Sequence, residues 1–243
     1  MPAHCYSKQI EITQCECDFQ NHMKPSAILR QVQQIGNDHC NSVGITSAVY
    51  EETHTAFLLA KLSVEIYGDI CAGDTVTMVT KPSAPIRAVY QRYTSFYNSQ
   101  GKELAAVDGR WILVDTQTRK ILRKIPEAFP FPFLDEKEEE QDVSIPRLSS
   151  LSSRGRITAS YARCDQNGHI NNAEYADIVC DQFPMSFYRE KKLSKLVLAY
   201  HHELSFGESM ELLGATFPNN KDAFYFCGKE GELLHFEAAV YFR

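Results

Sequence analysis

No stretch of this 243-residue chain stays apolar for anything near the ~20 residues that a membrane-spanning helix needs. The N-terminal MPAHCYSKQIEI has no basic region leading into an apolar run, so no secretory signal peptide is expected. Eight cysteines are present, but only Cys15 and Cys17 stand close together, which argues against a disulfide ladder and against a zinc-type spacing. A reduced cytoplasm is the expected compartment. There is no basic excess either. The net charge is −6, and the run Asp135–Asp142 (DEKEEEQD), with six acids and one Lys, carries −5 of it. The remainder is close to neutral, so no general nucleic-acid affinity is expected, while a local basic patch for an acidic partner stays open. What is present is ordinary for a globular protein: 44% hydrophobic and 23% charged residues, enough for one large domain or two small ones.

The clearest boundary is PFPFLDEKEEEQDVSIPRLSSLSSRG, where prolines, an acidic run and serines replace apolar periodicity. Such a segment cannot bury enough surface to order itself and reads as an exposed connector. It divides the chain into residues 1–134, a linker at 135–153, and residues 154–243.

The two flanks resemble each other. Cys17-Asp18-Phe19-Gln20-Asn21-His22 matches Cys164-Asp165-Gln166-Asn167-Gly168-His169. Each hexamer follows an alternating segment that reads as a strand, Ser7–Thr13 and Arg156–Tyr161. Each precedes a helical pattern. The first has Pro25 in its first turn and Ile28, Val32 and Ile35 on one face. The second has Asn171 and Glu174 at capping-box spacing, then Ala176, Val179, Cys180 and Phe183. Further on, Tyr67–Asp74 parallels His201–Glu208. Strand-like runs follow at 75–81, 89–98 and 104–115, with counterparts at 210–216, 223–228 and 233–242. Each half therefore reads as strand, loop, one long helix and four strands. A single long helix must bury its apolar face against the antiparallel sheet. The expected fold is α+β, a tandem (double) hotdog, with the two sheets continuing side by side.

Asp165-x-Asn167-x-His169 falls between a strand and a helix N-terminus, where free N–H groups can receive developing negative charge. An amide, an imidazole and carboxylates are suitable parts for thioester hydrolysis, which needs a polarised carbonyl, an activated water and a stabilised oxyanion. The competing role is structural: Asp165 and Asn167 as turn formers and His169 as an ordinary pre-helix residue. On spacing alone the structural role leads. His201 and Glu203 share one face at the end of LVLAYHHEL. His-x-Glu on a strand is not a specific ligand spacing, and with no further ligand cluster no metal is expected.

The segment Asp165-Gln-Asn167-Gly-His169-Ile170-Asn171-Asn172-x-x-Tyr175 resembles the Asp-x-Asn-x-His-x-Asn-Asn-x-x-Tyr motif of the acyl-acyl carrier protein thioesterases of plants and bacteria. Leu198-Ala-Tyr200-His-His-Glu203 is similar to that family's Leu-Glu-Tyr-x-x-Glu segment, and Gly73-Asp74, Arg110-Trp111 and Lys124-Ile125-Pro126 match family positions in the first half. The resemblance covers nearly the whole chain. It implies Asp165, Asn167, His169 and Glu203 as catalytic positions, with Ile170, Asn171, Asn172 and Tyr175 as substrate-binding ones. It also implies acylated acyl carrier protein as substrate and partner, no cofactor, and a first half that mainly forms the acyl tunnel. Plant members carry a Cys directly after the Glu; here Leu204 stands there, so a water nucleophile is expected. Asp18, Gln20, His22 and Asp69 read as a degenerate copy. Three other functions are weighed: an acyl-CoA thioesterase, a hotdog 3-hydroxyacyl-thioester dehydratase, and a non-catalytic acyl-binding protein. The assembly state, a homodimer included, is open, as is the preferred chain length.

Overall fold

A computed structural model describes residues 4–127, 129, 133 and 140–243. The acidic run at 135–139 lies outside the described residues. The strands β1 (Tyr6–Glu11), β2 (Thr55–Ile66), β3 (Thr75–Pro82), β4 (Val89–Tyr97) and β5 (Glu103–Asp115) form the first half of one sheet. The second half holds β6 (Ser152–Thr158), β7 (Leu193–Tyr200), β8 (Ser209–Phe217), β9 (Asn220–Glu230) and β10 (Leu233–Phe242). Ten strands run in the order β1-β3-β4-β5-β2-β7-β10-β9-β8-β6, every neighbouring pair antiparallel. The order reads the same from both edges when halves are exchanged, so the sheets do continue side by side. The seam is β2 against β7, where Lys61–Glu65 pairs with Lys195–Ala199.

Helix α1 (Pro25–Ser42) follows the expected stripe: Ile28, Leu29 and Ile35 are buried, and Val32 packs partly against the same core. Pro25 sits in its first turn, where a missing N–H costs nothing. A short helix α2 (Ser47–Thr53) buries none of its residues. In the second half the expected single long helix is broken. Helix α3 (Glu174–Cys180) stops after seven residues and α4 (Met185–Glu190) starts afresh after Pro184. Proline lacks an N–H and drives the residue before it out of helical geometry. Phe183, expected on the helix face, lies past the end of α3 and packs among Phe187, Phe224 and Phe242.

The capping box at Asn171 and Glu174 does not form. Asn171 Oδ1 accepts from the Ala173 N–H at 2.9 Å, but the Glu174 carboxylate turns away to Arg30 on α1. That ion pair, with Asp177 as second acid, joins the helices of the two halves. The described part of the linker is tied down at two points. The Gln141 N–H donates to buried Asp108 at 3.1 Å, and Arg147 forks onto buried Glu237 at 2.7 and 2.9 Å. Among the described residues no helix is long and apolar enough to cross a membrane.

Candidate active site

The loop after β6 is built by Asp165. Its Oδ1 accepts the Asn167 N–H at 2.9 Å, and its Oδ2 accepts the Asn171 side-chain amide at 3.2 Å. The Gly168 N–H closes the turn onto the Asp165 carbonyl at 3.0 Å, with Gly168 at φ +79°, a conformation that glycine adopts without steric cost. The loop is clamped from both sides: Phe206 N–H donates to the Gly168 carbonyl at 2.8 Å, and Ile170 N–H to the Leu204 carbonyl at 3.0 Å. The turn-forming role of Asp165 is therefore real. It also positions the two polar side chains that follow.

His169 is drawn toward Glu203, which follows β7. Its Nδ1 faces the Ile170 carbonyl at 3.4 Å, an acceptor that suits the tautomer with the proton on Nδ1 and the lone pair on Nε2. Nε2 stands 3.8 Å from Glu203 Oε1, too far for a direct hydrogen bond and open to a water bonded to both. Behind Glu203, buried His235 directs its Nδ1 at the carbonyls of His202 and Glu203, at 3.3 and 3.2 Å, and must donate to them. Sequence reading missed His235. Its position on β10 opposite the end of β7 was the signal.

Asp165, Asn167, Asn171 and Asn172 line one wall of a cavity of about 260 Å³. The opposite wall comes from the first half: Gln33 and Gly36 of α1 with Tyr90, Arg92 and Trp111 of the sheet. Second-half polar groups thus face a first-half chamber. Ile170 and Tyr175, expected in the substrate-binding set, sit apart from Asn171 and Asn172. They are 1% and 3% exposed, belong to the core, and do not line this cavity; burial pushes the Tyr175 phenol pKa up. The expected row of free amides is also reduced, because the Ile170 and Asn171 N–H groups already donate to carbonyls. His169 and Glu203 flank the loop rather than the chamber wall.

The first-half copy keeps the geometry. Asp18 Oδ1 accepts from the Gln20 and His22 N–H groups at 2.8 and 2.9 Å, and His22 Nε2 lies 3.7 Å from Asp69 Oδ1. Here, however, the carboxylate is occupied: Lys192 bonds both Asp69 oxygens, at 3.0 and 2.7 Å, and holds its pKa below the usual value. Among the described residues no lysine is bonded to Glu203. A mirror cavity of about 310 Å³ lies between Asp18, Gln20 and His22 and the second-half residues Cys180, at the end of α3, and Phe183, beyond it. Among the described residues no group of three or more His, Cys, Asp or Glu side chains is arranged to hold a metal ion.

Comparison with known proteins agrees with this architecture. Residues 3–130 match the acyl-ACP thioesterase N-terminal domain, and residues 149–230 match the acyl-ACP thioesterase C-terminal domain. A chloroplastic acyl-[acyl-carrier-protein] hydrolase of Cuphea viscosissima is 24% identical over 80% of this chain and 51% of its own length. A chloroplastic palmitoyl-acyl carrier protein thioesterase of Gossypium hirsutum is 22% identical over 89% of this chain and 56% of its own. The chain spans about half the length of the curated relatives it matches. A crystal structure of an acyl-ACP thioesterase from Bacteroides thetaiotaomicron superposes with TM-score 0.89 at 19% identity, covering 99% of this chain and 98% of that one. The 12:0-ACP thioesterase from Umbellularia californica gives TM-score 0.83 at 20% identity, over 98% and 94% of the two chains. The fold is the double hotdog of those structures, and the chain belongs to the acyl-ACP thioesterase family.

Proposed function

We propose that the chain hydrolyses fatty acyl-ACP thioesters to free fatty acid and holo-ACP, a cytoplasmic step of fatty acid biosynthesis. In this reading residues 1–134 hold the acyl chain, 154–243 carry the chemistry, and 135–153 connect them. The observation that carries it is the unequal pair of sites. His169 faces Glu203, to which no described lysine is bonded, whereas His22 faces Asp69, which is bound to Lys192.

A water between His169 Nε2 and Glu203 loses its proton to Nε2 as its oxygen bonds to the thioester carbon. The Asn167 side-chain amide donates to the oxyanion. Collapse of the tetrahedral species breaks the C–S bond, and the imidazolium returns its proton to the leaving thiolate. Asp165 acts through the loop it holds. Leu204 follows Glu203 and is fully buried, so no thiol stands at that position. No acyl-enzyme is expected: mass spectrometry of a rapidly quenched reaction should show unmodified protein, and thiol alkylation should leave turnover largely intact. Stoichiometric acylated protein would rule out the water route.

The acidic carrier expected for this family calls for a basic surface. Arg87, Lys120, Arg123 and Lys124 are exposed and supply one. Arg92, whose charge alone would suit the same patch, turns inward instead to His39 Nδ1 at 3.0 Å and Thr80 Oγ1 at 3.3 Å. Steering by exposed charges fades with salt, since screening shortens to ~8 Å near physiological ionic strength. kcat/KM for acyl-ACP should therefore fall with salt more steeply than for a small acyl thioester. Equal slopes would count against the carrier protein as natural partner and favour an acyl-CoA thioesterase.

A further inference from the structure

We propose that His235 is a positioning residue: with two further side-chain ties between β10 and the end of β7, it holds the Glu203 carboxylate at His169. This rests on the thioesterase reading of that site and names what keeps the site assembled.

The internal repeat supplies the comparison. In both halves the segment leading to the acid is bonded to the neighbouring strand through the same backbone groups. The His201 and His202 N–H groups donate to the His235 carbonyl at 2.9 and 3.2 Å, and the Tyr67 and Gly68 N–H groups donate to the Leu104 carbonyl at 2.8 and 3.0 Å. His235 and Leu104 are therefore structural counterparts, and both are buried. Their backbones are bonded alike; their side chains are not.

In the second half three side chains tie the segment down. His235 Nδ1 donates to the carbonyls of His202 and Glu203 at 3.3 and 3.2 Å. His202 Nδ1 donates to the Leu234 carbonyl at 3.0 Å. His201 Nε2 bonds Glu237 Oε2 at 2.9 Å, and that buried carboxylate is itself held by Arg147 and by the Tyr225 hydroxyl at 2.8 Å. In the first half Leu104 and Gly68 have no polar side-chain atom, and Ala106 stands where Glu237 does. Tyr67 bonds Glu65 at 3.1 Å, two residues back in its own segment.

Packing alone does not explain His235. Leucine fills the same position in the other half, and buried His235 Nε2 has no hydrogen-bond partner. Burying an imidazole with one nitrogen unpartnered costs stability that a leucine would not. The carbonyls that Nδ1 does bond belong to the peptides on either side of the Glu203 Cα. Fixing those peptides fixes where the carboxylate starts from, and a catalytic group displaced by about an ångström can cost on the order of 100-fold in rate. His235 does not line the cavity, so its effect should fall on kcat.

The test is a double-mutant cycle read as release of free acid from acyl-ACP, with thermal melts on each protein. His235→Leu should lower kcat on the order of 100-fold in folded protein, with KM nearly unchanged. In a Glu203→Ala background the same substitution should cost almost nothing more, because a residue that acts through Glu203 has no effect once the carboxylate is gone. His235→Asn, which keeps a donor near the Nδ1 place, should recover a good part of the loss. An unchanged kcat in His235→Leu overturns the proposal. So does an equal cost in both backgrounds, and so does a His235→Asn protein as slow as His235→Leu. Should His235→Leu melt below the assay temperature, His235→Gln, whose amide extends past that place, runs the same cycle. The clamp is also read without turnover. In a crystal structure of His235→Leu the Glu203 carboxylate should stand away from His169, and an unchanged separation of 3.8 Å overturns the proposal. Full activity in Glu203→Ala sinks the water mechanism and the clamp with it, whereas a silent His235→Leu beside a crippled Glu203→Ala sinks the clamp alone.

Discussion

His169→Ala should lower kcat by roughly 100- to 10,000-fold with little change in thermal stability, the usual contribution of a general acid–base group. His22→Ala should leave kcat nearly unchanged. The two residues are structural counterparts, with Nε2 3.8 Å from Glu203 in one case and 3.7 Å from Asp69 in the other. Distance therefore does not distinguish them; the second partner of the carboxylate does. Lys192 neutralises Asp69 and lowers its pKa, so Asp69 is poorly placed to draw a proton from water through His22. Steady-state kinetics on both variants, alongside melts, separates chemistry from folding. Turnover lost in a well-folded His22→Ala protein but kept in His169→Ala would reverse the assignment of the active half.

Asn167→Ala should cost a comparable amount, since one oxyanion donor contributes about 3–4 kcal/mol, or roughly 100- to 1,000-fold in kcat. The loop should survive the change. Its turn is held by the Asn167 backbone N–H on Asp165 and by Gly168, not by the Asn167 side chain. KM should move little if the amide acts chiefly on the oxyanion. A rise in KM at constant kcat would show that Asn167 binds the ground state and that the oxyanion is stabilised elsewhere.

Much of the fold is legible in the sequence because the chain states it twice. The matching hexamers at Cys17 and Cys164, with alternating runs after them, are enough for two equivalent halves. The parts that stayed hidden have physical reasons. The strand β6 begins at Ser152, inside what reads as linker, because it is an edge strand whose residues are nearly all exposed. Backbone pairing with β8 makes its first residues a strand, and the alternation that reports the segment starts only at Arg156. The seven-residue α2 buries nothing, so it has no stripe to detect. The break at Pro184 was obscured by Phe183, whose burial continues the helical spacing after the helix itself has ended.

At the site, the sequence marks the Asp165–His169 loop and Glu203 through their motif, and the structure brings His169 and Glu203 together. It does not show that Ile170 and Tyr175 turn into the core, because apolar and aromatic side chains suit a tunnel and a core equally well. Arg92 shows how a buried cation can be read from its strand. A cation invites a surface assignment, yet Tyr90, Thr94 and Phe96 stand at alternate positions of the same strand and are all buried. Period-two reading of β4 puts Arg92 on that inner face with them.

The central claim is hydrolysis at the second-half site, and product analysis tests it most directly. Purified protein is incubated with acyl-ACPs of graded chain length, and free fatty acid and free carrier thiol are both quantified over time. The account predicts that acid and thiol appear together in equal amounts with wild type, and that both are lost in His169→Ala. An enoyl or hydroxyacyl product still attached to the carrier, with no thiol released, would contradict it and identify a hydratase or dehydratase instead.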